Sequence, residues 1–241
     1  MRRITAVVLA MLMLLALSVT AFADDAVPSG VEDGVLTIAM ECAYAPYNWT
    51  QCDDSNGAVP ISNVPGSYAN GYDVMIAQRI CEANGWELEV IQSDWDSLVP
   101  GVQTGTFDAV IAGQSMTAER AEQVDFAGPY FYATIVCLTT ENSPYASAQG
   151  LSDLAGGSCT AQIATIWYDT CLPQIEGANM VPASETAPAM LMALETGMVD
   201  FVSPTCPPRR ARSTPIPTWS SSTSPAPTAT SSSPSRSARR T

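Results

Sequence analysis

Arg120 is the residue whose type and setting point most directly to chemistry. Together with Arg79 it is one of two basic side chains between Asp24 and Val202, a stretch that holds all 24 Asp and Glu of the chain. A guanidinium offers parallel N–H donors in a planar fork that clamps a carboxylate, which an ammonium meets only as a point charge. Two readings of Arg120 stand side by side: an anchor for a small carboxylate, or a solvated helix arginine paired with Glu122. Other chemistry is thinly supplied. The chain has no His and no Lys, and its seven cysteines at 42, 52, 81, 137, 159, 171 and 206 show no metal-ligand spacing. A Cys nucleophile would lack its usual imidazole base, and no Ser triad is visible, so neither a cofactor nor a metal is expected. Spacing alone assigns no disulfides. Cys42 with Cys52 and Cys159 with Cys171 are candidate pairs, whereas Cys81 and Cys137 read as small buried hydrophobes.

The net charge of −14 disfavours polyanions, so a nucleic-acid partner is not expected. Export is expected instead. Met1-Arg2-Arg3 is a short cationic start, Ala6 to Val19 is almost wholly apolar, and Ala21-Phe22-Ala23 supplies small residues at a cleavage site. The apolar run is shorter than the roughly 20 residues of a spanning helix, which favours a cleaved signal over residues 1–23 to an anchor. No Cys directly follows the run to carry a lipid. Residues 24–33 read as a linker.

The elements that must position Arg120 alternate. Strand-like runs at Val35 to Met40, Trp86 to Ile91 and Asp108 to Ala112 take turns with helical runs at Tyr72 to Ala83, Ser97 to Gln103 and Ala118 to Gln123. Gly85 and Gly105 sit where helices stop, and Thr117 sits where the third begins. A second set follows: Thr134 to Leu138, Cys159 to Gln162, Thr165 to Cys171, Met180 to Ala183, Glu185 to Thr196 and Val199 to Val202. Strand and helix in turn imply α/β architecture with parallel sheets. Two lobes are expected, a first segment of lobe 1 at 34–132 and lobe 2 at 133–202. The carboxyl ends of strands then make the default ligand site.

Four motifs resemble the extracellular solute-binding proteins, family 3, the polar amino-acid-binding branch that feeds ABC importers. They are Glu41-Cys42-Ala43-Tyr44-Ala45-Pro46-Tyr47, then Gly71-Tyr72-Asp73-Val74, then the run from Asp94-Trp95-Asp96 through Gly105-Thr106-Phe107-Asp108 and Thr117-Ala118-Glu119-Arg120 to Val124-Asp125-Phe126, and Gln162-Ile163-Ala164-Thr165-Ile166-Trp167. In the family's order they cover nearly all of Gly34 to Val202. The resemblance implies a two-lobed fold like the type II periplasmic binding proteins. It implies a free amino acid as ligand, a membrane permease as partner, a periplasmic or extracellular location, and binding without turnover by a monomer.

The resemblance also implies site residues. Arg120 would clamp the ligand carboxylate, with backbone groups of Gly113 and Ser115 beside it. Thr165, opening a helix, would share the carboxylate, and Tyr44 and Tyr47 would wall the side chain. Trp167 is a weaker candidate, since it and Tyr44 also fit the commoner fate of core aromatics. Glu41 occupies a position that is acidic in relatives selecting cationic or amide side chains; a solvated strand-end charge is the alternative. A polar or cationic ligand is therefore favoured. A few relatives of this fold are dehydratases, and only Glu41 could serve as their acid or base. A ligand-sensing module docking on a receptor is a third class that sequence does not separate.

At Ser203 the composition changes to Ser, Thr, Pro, Ala and Arg, which cannot bury a core. The resemblance calls for an aspartate for the ligand ammonium just after Val202, and then for a return to lobe 1. Neither is present, so the second segment of lobe 1 is expected to be missing. A one-base shift supplies both features in part: Ser203 to Pro208 can read T-D-M-P-T, and Thr218 to Ser224 can read D-M-V-I-L-D-F, a buried-strand pattern. Residues 203–241 are thus expected to be a disordered low-complexity tail, with two readings side by side: a native tail, or the right gene read in a shifted frame.

Overall fold

A computed structural model describes residues 31–206. The expected signal at 1–23, most of the linker, and the tail from residue 207 lie outside the described residues. The chain divides into two compact units, meeting in sequence at Phe131 and Tyr132.

Unit 1 is built on a parallel sheet in which β1 (Val35–Met40) lies between β6 (Glu87–Gln92) and β7 (Ala109–Val110). Ile38, Ala39 and Met40 are consecutive and all fully buried, as befits a strand covered on both faces. Between β1 and the first helix run four short strands, β2 (Ala43–Tyr44), β3 (Asn48–Gln51), β4 (Val59–Pro60) and β5 (Tyr68–Asn70). They form an antiparallel sheet in the order β2-β3-β5-β4 that the sequence reading did not anticipate. Its strands carry Asn48, Thr50, Gln51 and Asn70 where an apolar alternation would have marked them.

Helix α1 (Tyr72–Asn84) presents Val74, Ala77 and Cys81 to the core at helical spacing and ends on Gly85 in the left-handed region, φ 72°. Its start has no side-chain cap. The amides of Tyr72 and Asp73 donate instead to the carbonyls of Pro46 (3.1 Å) and Tyr47 (2.8 Å), so the loop between β2 and β3 caps the helix with backbone. After β6, α2 (Leu98–Gln103) buries Leu98 completely and is followed by Gly105 at φ 69°. Thr117 opens α3 (Ala118–Ala121), one turn long and so shorter than the expected Ala118 to Gln123.

In unit 2 the expected strand from Thr134 to Leu138 is two strands, β8 (Thr134–Ile135) and β9 (Leu138–Thr139). A four-stranded sheet runs β11-β10-β12-β9, with β10 (Ser158–Thr160) parallel to both β11 (Asn179–Met180) and β12 (Phe201–Val202), and β9 antiparallel to β12. The expected helix from Thr165 is a π-helical turn, Trp167–Cys171. Helix α4 (Ala187–Glu195) is capped by the Thr186 hydroxyl, which accepts from Ala189 N–H, and buries Met190 and Leu194. β13 (Thr205–Cys206) pairs with β8 in antiparallel fashion. Neither candidate cysteine pair is bridged. Cys42, Cys52, Cys159 and Cys171 are free thiols, and all but Cys52 are buried like Cys81 and Cys137.

Gly71 sits where the capping loop meets α1. Its φ is 132°, and a Cβ there would lie 2.2 Å from the Tyr47 carbonyl oxygen, which is backbone and cannot step aside. Gly71→Ala is expected to destabilise the fold by about 3 kcal/mol from combined clash and strain. A urea midpoint equal to that of the parent would contradict the close approach.

Candidate functional site

The segments that follow the carboxyl ends of β1 and β7 carry six of the eight expected site residues. Glu41 follows β1 and is buried, 6% exposed, and its carbonyl accepts from Gln92 Nε2 at 3.1 Å. Cys42 next to it holds φ 55°, left-handed backbone that a non-glycine residue adopts only at a cost of about 1–2 kcal/mol. Burial and the neighbouring Glu41 charge push the Cys42 thiol up to about 12, so it stays protonated and inert. Tyr44 and Tyr47 stack with ring centroids 5.0 Å apart. They differ in setting. Tyr47 is buried and meets Phe131 edge-on at 5.2 Å, whereas Tyr44 is half-buried. Of the two, Tyr44 is the more exposed.

Arg120 is oriented by its own loop. Its backbone N–H donates to Thr117 Oγ1 at 3.1 Å, its Nη1 donates to the Ser115 carbonyl at 2.8 Å, and its guanidinium lies over the Trp95 ring at 5.9 Å. A charged hydrogen bond and a cation–π contact hold the fork half-buried, which limits its rotamers before any anion arrives. Ser115 thus meets Arg120 through its carbonyl. Gly113 is exposed with φ 64°, and its N–H donates to Tyr130 Oη at 2.9 Å. That amide is already engaged within unit 1.

Tyr130 leads to a group that the sequence reading named only within the motif Gly71-Tyr72-Asp73-Val74. Asp73, wholly buried at the start of α1, accepts from Tyr130 Oη at 2.8 Å and from Asn48 Nδ2 at 2.8 Å, while Asn48 Oδ1 accepts from Cys42 N–H at 2.9 Å. Burial pushes the Asp73 carboxyl up to about 6, with the Asn48 and Tyr130 hydrogen bonds pulling the other way. Tyr130 is pushed well above the ordinary phenol range by burial and then by the Asp73 charge. Tyr130, Asn48 and Trp95 went unread as site-shaping residues. Each stands inside or near a motif quoted for the family, but its partner is distant in sequence.

Thr165 and Trp167 belong to unit 2. The Thr165 hydroxyl donates to the Gln162 carbonyl at 2.6 Å and accepts from Tyr168 N–H at 3.3 Å, closing the turn that opens the π-helical segment. Ala164 before it holds φ 54°. Trp167 is buried, 6% exposed. Among the described residues no group of three or more His, Cys, Asp or Glu is placed to hold a metal ion, and no helix is long and apolar enough to cross a membrane.

The profile of the bacterial extracellular solute-binding proteins, family 3, matches residues 36–204. The chain belongs to that family. Among curated relatives, a probable histidine-binding protein of Campylobacter jejuni is 26% identical over 159 residues, 66% of this chain and 55% of that protein. A cyclohexadienyl dehydratase of Pseudomonas aeruginosa is 32% identical over 100 residues, 42% of this chain and 32% of the enzyme. The chain thus spans about half the length of the first of these, and less of the second. Among solved structures, the arginine-bound form of a truncated arginine-binding protein from T. maritima superposes with TM-score 0.60 at 25% identity, over 72% of this chain and 74% of that one. The fold is accordingly of the type II periplasmic binding-protein class, as expected.

The raised pKa of Asp73 has a definite sign in stability. Its folded value of about 6 lies above the ordinary 3.8. Its contribution is therefore fully present below about pH 4 and is lost as pH rises through 6. The stability of Asp73→Asn relative to the parent should climb by up to about 3 kcal/mol between pH 4 and pH 7. Parallel pH–stability curves for the two proteins would contradict that.

Proposed function

We propose that the protein is an exported amino-acid-binding protein that hands its ligand to the permease of an ABC importer. Arg120 carries the reading. In a body with 24 acidic side chains, a guanidinium set half-buried by the Ser115 carbonyl and the Trp95 ring is suited to a carboxylate. Tyr44, backed by Tyr47, would face the ligand side chain, and Glu41 would favour a cationic or amide group there. Gly113, Ser115, Thr165 and Trp167 complete the proposed contacts. The names of relatives support a cationic ligand, since they include histidine- and arginine-binding proteins. Binding is favoured over turnover because Glu41 is the single acid or base that the sequence reading could name for the cleft. A monomer in the periplasm or at the cell surface is the proposed state.

The aspartate for the ligand ammonium is proposed to lie in the shifted frame just beyond Val202. The family match ends at residue 204, where the composition changes, and that coincidence supports the shift. Loss of one charged hydrogen bond weakens binding by roughly 1.5–3 kcal/mol. In thermal-shift assays with the twenty amino acids, the chain as written should respond little. A frame-restored version should be stabilised by one or a few of arginine, lysine, histidine and glutamine, and Arg120→Ala should abolish the response. No response of the frame-restored protein to any of the twenty would sink the proposal.

A further inference from the structure

The buried carboxylate of Asp73 joins two loops that have no direct business with each other. Through Asn48 it reaches the Cys42 amide, beside Glu41 at the end of β1. Through Tyr130 it reaches the Gly113 amide, at the start of the loop that ends in Ser115 and Arg120. Its own N–H donates to the Tyr47 carbonyl, so the same residue also fixes the loop that follows Tyr44. Tyr130 is the pivot of the second arm, because its hydroxyl donates to Asp73 and accepts from Gly113 at the same time, with 2.8 and 2.9 Å contacts. A phenol so placed has no freedom to turn without breaking one of the two.

We infer that Asp73 and Tyr130 are positioning residues that set the height and angle of the Gly113–Ser115 loop, and with it the Ser115 carbonyl that orients Arg120. Three observations support a role beyond filling space. Asp73 is completely buried, where an apolar residue of similar size would avoid the cost of desolvating a carboxylate. Its side chain and N–H bond to Asn48 at the start of β3 and to Tyr130 and Tyr47 in loops, and none of these partners is in the parallel sheet. Gly113, with φ 64°, and Cys42, with φ 55°, both hold left-handed backbone at the far ends of its two arms, so the network stands where the chain is most in need of restraint. That the positioned loop serves an amino acid rests on the proposed function; the positioning itself does not.

The test reads single amides in the chain without ligand, by hydrogen exchange with residue resolution. Tyr130→Phe removes the acceptor for Gly113 N–H and leaves the ring. It should speed exchange at Gly113 about tenfold, the size of one lost hydrogen bond. Cys42, held through Asn48, and core amides such as Val90 should stay within twofold. Asp73→Ala should speed both Gly113 and Cys42, and Tyr132→Phe, altering a side chain 77% exposed, should speed neither. Gly113 exchange unchanged in Tyr130→Phe would overturn the inference, and so would a uniform acceleration across unit 1, which reports lost stability alone. If Gly113 exchanges faster but the frame-restored protein binds its amino acid as before, the positioning stands and the ligand role of Gly113 falls.

Discussion

A carboxylate with no solvent exposure must be compensated, and in this protein the compensation for Asp73 organises the part of unit 1 that carries the candidate site. Asn48 and Tyr130 satisfy its oxygens, and their remaining groups take up the amides of Cys42 and Gly113. Because Tyr47 and Pro46 also cap α1 with their carbonyls, the helix start, the β2–β3 loop and the loop after β7 form one hydrogen-bonded assembly. Displacing any member leaves a buried polar group unmatched, at about 1–3 kcal/mol each. The close approach of Gly71 to Tyr47 follows from the same requirement, since a side chain there would hold the capping loop off the helix.

Arg120 stands on that assembly at one remove. Its guanidinium is held by a backbone carbonyl and an aromatic face, which fix its direction. The surrounding acidity makes such a charge scarce: the other basic side chain of the body, Arg79, is exposed and bridged to Glu82 at 2.9 Å. An exposed pair three residues apart on a helix contributes little to stability and offers no enclosed site. The two arginines thus separate cleanly by setting, one solvated and one oriented.

The sequence made some of this legible and hid the rest for physical reasons. β1, α1 and β6 stood out because their apolar residues keep a regular spacing and Gly85 marks a left-handed stop. Arg120 stood out because charge is counted as easily in sequence as in space, and Thr117 announced its helix because a cap acts over three residues. The four-stranded sheet from Ala43 to Asn70 did not, since its strands are two to four residues long, too short to show an alternation. Asp73 looked like an ordinary acidic residue in the first turn of a helix. Its partners lie 25 and 57 residues away, and nothing local distinguishes a buried carboxylate from a solvated one. The cysteine pairs failed for a similar reason, because spacing measures the loop between two thiols and not their separation.

Whether Arg120 anchors a carboxylate is decided most directly by comparing each amino acid that binds the frame-restored protein with its decarboxylated amine: arginine with agmatine, histidine with histamine, lysine with cadaverine. Titration calorimetry reads the difference. An anchor at Arg120 predicts that the amine binds at least tenfold more weakly in the parent and that Arg120→Ala erases the gap. Equal affinity for an amino acid and its amine in the parent protein would contradict it.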